Sequence, residues 1–517
     1  MKVYKESPES TGTFSTLFLD YLSNNENLRD FYQWKPEVDE IKNVIARRRF
    51  PAAQREALAT VLAGQYEGVE LSDKLRENLA LLKKDNTYTI TTGHQLNLGT
   101  GPLYFIYKII STINLAEDLA RRYPEFNFVP VYWMATEDHD FEEINHFNLF
   151  GNTYTWQTDQ KGPVGRFSTD GLSKLLDQLP ERLEILQAAY ADGQTLSRAT
   201  RRLVDKLFGD YGLVILDPDA PLLKKSFSGI LRSEIRDGKV AAAAHKTSME
   251  LEKRGYAPQV YTRDVNVFML LDDRRRLEKN ENGYRILPER DISWKELERL
   301  LDEKPEIFSP NVVSRPLYQE TVLPNLAYIG GPAEIAYWLQ LKEAFDVCEV
   351  PFPMLLPRHF FMIVNRNFAR KLEQLGINPP EIFKSERKLK DQYLENQAGA
   401  AISIEDEVRR LSDVFDRISS VASAVDKSLD GFVQAEKQKV LKQADNIEKR
   451  IKKSEEQKHE TALKQIESIR RKLFPGDSLQ ERVDNLFSFH TNDPEFIKKI
   501  KEHSQPFDFR FTILCES

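Results

Sequence analysis

Six short apolar runs punctuate the first 358 residues: TYTITTG, FNFVPVYWMATED, GLVILDP, VNVFMLLDD, NLAYIGG and PFPMLLPR, with helical stretches between them. Their apolar residues are continuous rather than alternating, so each strand would bury both faces. Strands of that kind separated by helices build βαβ units and a mostly parallel, doubly wound α/β sheet. At 517 residues the chain also exceeds what one hydrophobic core can organise.

The rhythm has two interruptions and a change of character. A core over 1–380, mainly helical and polar-faced up to about residue 85, carries insertions near 152–209 and 273–310. Over 381–475 glycine and proline thin out. Apolar residues there recur at three- and four-residue steps: Val408, Leu411, Phe415 and Ile418, then Val425 and Leu429, then Val440, Ala444, Ile447 and Ile451, then Ala462, Ile466, Ile469 and Leu473. That spacing predicts a long α-helical coiled coil. Pro475 and Gly476 stop it, and 476–517 ends in PFDFRFTILC, a strand expected to rejoin the core.

Composition narrows the class. A net charge of -7 disfavours general nucleic-acid binding. The two cysteines, Cys348 and Cys515, exclude a disulfide framework and a cysteine-rich zinc site, and suit a reducing cytoplasm. No run reaches the ~20 apolar residues of a membrane span, and YFIYKIISTI is interrupted by Lys108.

Three places could carry chemistry. The first is TITTGHQLNLGTGPLYFIYKI, read as a strand, a glycine-rich turn, and a helix with Pro102 at its first position. Gly93, Gly99 and Gly101 would let an anion approach backbone N–H groups at a helix N-terminus, with His94 and Gln95 as donors beside it. The spacing is neither of the two common phosphate-loop patterns, and a purely conformational turn fits it equally well.

The second is WMATEDHDFEEINHF, where an apolar strand runs into Glu137, Asp138, His139, Asp140, Asn145 and His146. Ligand crevices of open α/β sheets lie at such strand ends. Asp138 and Asp140 could hold Mg²⁺ through waters, or one of them could orient His139 as a general base. The bland alternative is a solvated acidic helix start. The third is SPNVVSRPLYQETVLPNLAYIGGPAEIAYW, where Gly330, Gly331 and Pro332 repeat the strand–glycine–proline–helix order. Arg315 could clamp an oxyanion, with Gln319 and Glu334 nearby; an ordinary ion pair is its alternative role.

Taken together, TGHQLNLGTGPLYFIYKI, PVYWMATEDHDFEEINH, SPNVVSRPLYQETVLPNLAYIGGPAEIAYW and PMLLPR, in this order and followed by a coiled coil, resemble the bacillithiol biosynthesis cysteine-adding enzymes. The resemblance covers nearly the whole chain. It implies a Rossmann-type, nucleotidyltransferase-like parallel-sheet core with inserted connecting segments, and a coiled coil that makes a homodimer. It also implies a cytoplasmic ligase that forms an amide bond between L-cysteine and the amine of glucosaminyl malate.

A carboxylate is a poor electrophile, so ATP, with or without Mg²⁺, is the expected activator by analogy with adenylate-forming ligases. No zinc is expected. The lysine–serine loop of those ligases has only a faint counterpart here, LLKKSFSG. On this reading His94, Gln95, Gly99, Gly101, Gly330 and Gly331 contact the nucleotide, and Asp138, His139 and Asp140 are catalytic. Glu137, Asn145, His146, Arg315, Gln319 and Glu334 bind substrate. Nucleic acid and membrane are not expected partners. Two other classes remain: another nucleotidyltransferase or tRNA-modifying enzyme, and a non-catalytic coiled-coil assembly protein.

Overall fold

The computed structural model describes residues 1–281, 283–398 and 404–516. Fifteen strands are assigned: β1 (Lys2–Glu6), β2 (Thr87–His94), β3 (Asn127–Met134), β4 (His146–Leu149), β5 (Asn152–Thr155), β6 (Val214–Leu216), β7 (Val267–Leu270), β8 (Arg274–Asn280), β9 (Gly283–Ile286), β10 (Arg290–Ile292), β11 (Phe308–Pro310), β12 (Asn325–Gly330), β13 (Met354–Pro357), β14 (Phe360–Val364) and β15 (Phe511–Cys515). The core is a five-stranded parallel sheet of order β13-β12-β2-β3-β6.

Its strands lack alternation because both faces are covered. In β3, Val129, Val131 and Trp133 enter the largest apolar cluster, while Phe128, Tyr132 and Met134 enter two others. Five of the six apolar runs are strands of this sheet. VNVFMLLDD is not: β7 pairs antiparallel with β8 and β11 in a separate sheet of order β10-β9-β8-β7-β11. The second insertion therefore starts earlier than 273. Periodicity cannot tell which sheet will take a short apolar run. The first insertion holds β5, which pairs back onto β4 just before it, and the α-helices Leu172–Leu176, Glu184–Ala189 and Leu196–Phe208.

The N-terminal region is not wholly helical. β1 pairs antiparallel with β15, and β15 runs parallel to β14, so the chain's two ends share a third sheet. β15 joins the largest apolar cluster through Phe511, Ile513 and Cys515.

Helices Glu405–Val425 and Leu429–Lys458 form an antiparallel hairpin, tied by Lys437 to Asp416 and by Ser419 to Asp430. Positions 399–403, inside the predicted 381–475 range, lie outside the described residues. Helix Glu460–Leu473 buries Leu463, Ile466, Ile469 and Leu473 against the core. The predicted seam is only partly closed. Ala444 is buried, as is Val433 outside the predicted set, whereas Ile418, Ile447 and Val425 are 46%, 57% and 80% exposed. No helix among the described residues is long and apolar enough to cross a membrane.

Candidate active site

The C-terminal ends of β2, β3 and β12 open onto a cavity of about 600 Å³. Parallel strands put these ends on one edge, where their loops converge. Gly93, next to last in β2, keeps the floor open: a Cβ there would lie 3.3 Å from the Tyr328 hydroxyl and 3.6 Å from Arg315 Nη1.

One wall is basic. Lys108, one turn into the buried helix Tyr104–Arg122, donates to the Gly93 carbonyl at 2.8 Å and pairs with Glu334 at 2.5 Å. Glu334 also accepts from Tyr328 Oη at 2.7 Å and from the Gly331 N–H at 2.8 Å, capping helix Pro332–Leu339. Burial raises the Glu334 carboxyl, but Lys108 and these donors outweigh it and bring it below its ordinary value. Burial lowers Lys108 more than Glu334 raises it. A desolvated pair of this kind needs every donor it has.

Arg315 sits differently. Its guanidinium donates to neutral partners only, Tyr337 Oη at 2.9 Å and Gln319 Oε1 at 3.1 Å, and it lines the cavity beside Gly93. Gln319 is fully buried and acts by orienting Arg315. Arg358, just after β13, is forked onto Glu481 at 2.6 and 3.0 Å. Arg482 lies at the cavity as well. This wall thus has four cations, Lys108, Arg315, Arg358 and Arg482, against the carboxylates of Glu334 and Glu481.

The facing wall carries Asp138. Gln95 Nε2 donates to it at 2.9 Å and the His139 N–H at 2.8 Å, while Arg274 lies 3.6 Å away. Burial favours the protonated acid, but the His139 side chain, Gln95, the Arg274 charge and the His139 N–H together outweigh it and hold the carboxyl well below the usual range. Glu137, beside it, is paired with the fully buried Lys224, which also donates to the Phe308 carbonyl at 2.6 Å. Lys224 is therefore a tie between the core and the second insertion, not a phosphate-loop lysine.

Between the walls, His94 stacks on Phe105 at 4.8 Å, and its Nε2 has no hydrogen-bond partner. Burial first, then the charges of Lys108 and Arg358, hold its pKa well below 6.5, so the ring is neutral at pH 7.

The structure brings His94, Gln95, Glu137, Asp138, Arg315, Gly331 and Glu334 to the cavity, with Gln319 and Gly330 directly behind. Others fall outside its lining. His139 packs on Phe268 and its Nδ1 meets Arg274 Nη1 at 3.2 Å, and because a guanidinium can only donate, Nδ1 accepts. Asp140 is exposed and flanks Asp138 through its own N–H. Asn145 accepts from the Trp156 N–H, and His146 pairs with Thr155 in the hairpin.

Gly99 and Gly101 are also elsewhere. The Gly99 N–H donates to Tyr190 Oη at 3.0 Å, and both glycine carbonyls accept from Asn485 Nδ2. Pro102 is not the first helical residue, because it bridges to Asn485 and the helix begins at Tyr104. The turn receives a strand-like segment of the chain, and its glycines lie outside the cavity lining. Lys108, Arg274, Tyr328, Arg358 and Arg482 are among the cavity residues that pattern reading missed, whereas Tyr337 stood out beside Glu334 on its helix. A lysine inside the apolar run YFIYKIISTI was the available signal, since a buried lysine demands a partner. Among the described residues no group of three or more His, Cys, Asp or Glu side chains is placed to hold a metal.

Comparison with known proteins agrees with this architecture. The profile described as "Bacillithiol biosynthesis BshC, N-terminal Rossmann-like domain" matches residues 1–359, and "Bacillithiol biosynthesis BshC, C-terminal coiled-coil domain" matches residues 361–516. A relative from Cytophaga hutchinsonii, named "Putative cysteine ligase BshC", is 41% identical over 516 residues, 99% of each chain. Relatives of the same name from Flavobacterium psychrophilum and Bacillus cytotoxicus are 40% and 28% identical, covering 98% and 94% of this chain and 98% and 95% of their own. With both domains matched end to end, this chain belongs to the bacillithiol biosynthesis BshC family.

Proposed function

We propose that the protein is a ligase that joins the carboxyl group of L-cysteine to the amine of glucosaminyl malate, forming the amide of bacillithiol. The observation that carries this reading is the two-walled cavity, with a cation-rich face at Arg315 and Arg358 opposite an ionised Asp138. The relatives' names supply the cysteine and the ligation. A malate-bearing substrate is anionic and its sugar amine cationic, so the two walls match its two ends.

In the reaction a C–N bond forms between the cysteine carboxyl carbon and the amine nitrogen. One carboxyl oxygen leaves, and the ammonium gives up two of its three protons, the third remaining as the amide N–H. A nucleoside triphosphate, when bound, supplies the activation that lets that oxygen depart. The basic wall and the space over Gly93 suit phosphate oxygens, and Arg315 is the residue that would hold them.

The chain's own groups do the rest. Asp138, held ionised, is a firm partner for an ammonium but a weak base, so its part is to bind and orient the amine. His94, neutral, can donate or accept one hydrogen bond without adding charge. The guanidinium of Arg315, with its orientation already set by Tyr337 and Gln319, faces negative charge that develops on the carboxyl oxygens.

We further propose a homodimer through the helical hairpin, where Val421, Val425 and Phe432 leave apolar surface uncovered. The cytoplasm is the inferred compartment, consistent with the free thiols of Cys348 and Cys515. The test is incubation of the purified chain with L-cysteine, glucosaminyl malate and ATP, followed by mass analysis. A thiol product that needs all three is expected. Absence of product, or product without cysteine, overturns the ligase reading.

A further inference from the structure

The segment after the coiled coil is stitched to the cavity on both sides of one residue. Before it, Gln480 bonds the Ile363 N–H at 2.8 Å and the Ile363 carbonyl at 3.1 Å, in the manner of an added strand beside β14. Glu481 forks onto Arg358 and accepts the Phe361 N–H. After it, the Asp484 carbonyl accepts the Leu103 N–H at 2.8 Å, and Asn485 Nδ2 reaches the carbonyls of Gly99 and Gly101 at 2.6 and 2.7 Å. Gln480, Glu481 and Asn485 are 5%, 1% and 0% exposed.

Between these anchors stands Arg482, exposed, lining the cavity, and forming no ion pair with any described residue. Buried, fully bonded neighbours fix its Cα, so only its side chain has to be ordered when a ligand arrives. Tyr104, which opens the helix on this wall, feels the charges of both Arg482 and Arg358. Arg358 is neutralised by Glu481, whereas Arg482 is not.

Resting on the ligase reading for the site's substrates, we infer that Arg482 is an oxyanion-binding residue of the active site. It is supplied by the segment C-terminal to the coiled coil and is held in place by Glu481 and Asn485. The site is therefore not confined to the Rossmann-like part of the chain. Its ligand is an oxyanion, either a carboxylate of the malate-bearing amine or a phosphate of the nucleotide. A guanidinium serves either by paired N–H donation, which a lysine would not reproduce.

The experiment is calorimetric titration of full-length wild type and Arg482→Gln with glucosaminyl malate, with L-malate and with ATP, plus melting temperatures. A charge-assisted contact of this kind is expected to be worth about tenfold or more in affinity. The loss should fall on one class of ligand, with melting unchanged. Loss toward both malate-bearing probes assigns a carboxylate, and loss toward ATP assigns a phosphate. Arg482→Lys should recover only part of the affinity. Equal binding by wild type and Arg482→Gln, or binding of none of the three probes by wild type, overturns the inference. If the variant binds weakly while wild type forms no amide, the anion site stands and the ligase reading alone fails.

Discussion

Lys108 Nζ lies 2.5 Å from Glu334 Oε2, with the lysine side chain only 3% exposed, and this pair joins the strand end at Gly93 to the cap of helix Pro332–Leu339. Two sequence motifs more than 200 residues apart thus meet as one wall of the cavity. Breaking a buried pair from one side strands the remaining charge. Lys108→Met should therefore lower stability by about 3–5 kcal/mol in denaturant titration. Lys108→Met combined with Glu334→Gln should recover part of that loss. A single variant within about 0.5 kcal/mol of wild type would contradict this account of the wall.

Asp138 and His139 should separate in kinetics. Asp138 lines the cavity and is held ionised, whereas His139 lies behind it with Nδ1 facing Arg274. Asp138→Asn is expected to reduce amide formation by about 10²-fold, the scale of a lost charged contact to the reacting amine. His139→Ala should cost less. If His139→Ala is the more damaging change while both variants melt like wild type, the general-base role belongs to the histidine.

Gly101 should prove a folding residue. Its φ is +62°, and a Cβ would fall 2.6 Å from Asn97 Cβ. Gly101→Val adds left-handed strain to that clash, and it displaces the loop that accepts Asn485. Circular dichroism should show a melting temperature lower by several degrees, with nucleotide affinity of the remaining folded protein unchanged. Normal melting with lost binding would return the turn to the role of anion cradle.

Asp484 gives a pH signature. Burial, opposed by Lys472, pushes its carboxyl up to about 6, against about 3.9 in an unfolded chain. Between those values the folded state binds more protons than the unfolded state, so this group's contribution to stability falls as pH rises from about 4 to about 6. Asp484→Asn keeps the main-chain carbonyl that Leu103 uses and removes the titration. Melting curves should show the variant gaining on wild type across that window and staying more stable at pH 7.5. A constant difference across the window would mean that Asp484 titrates normally.

The hairpin tip tests the oligomer. Ile418→Lys with Val421→Lys places charge on surface that is 46% and 68% exposed in one copy, so the monomer should tolerate it. Light scattering should then report a monomer where wild type is a dimer. A dimer that survives has its interface on the core.

Several features were legible in the chain alone. Continuous apolar runs mark strands covered on both faces, and five of six lie in the parallel sheet because local pattern and tertiary burial agree there. The coiled coil is legible for the same reason, since a three-four repeat is a local property of a helix. Polar residues crowding the ends of β2, β3 and β12 point to the cavity, as strand ends in such sheets are where a crevice forms.

What the sequence could not decide is which polar group meets which. VNVFMLLDD has the pattern of a core strand and joins another sheet, because pairing partners are chosen by topology rather than by the strand's own residues. The glycines at 99 and 101 need left-handed backbone in either role, and only Asn485, 384 residues away, makes them a docking loop. His139 and Asp138 are neighbours in sequence, yet one lines the cavity and the other does not. Chain order determined the strands of the parallel sheet and the helical hairpin. The charge balance of the cavity, with Lys108 on Glu334, Arg358 on Glu481, and Arg315 and Arg482 without a carboxylate partner, arises from long-range contacts, and only the tertiary structure sets it.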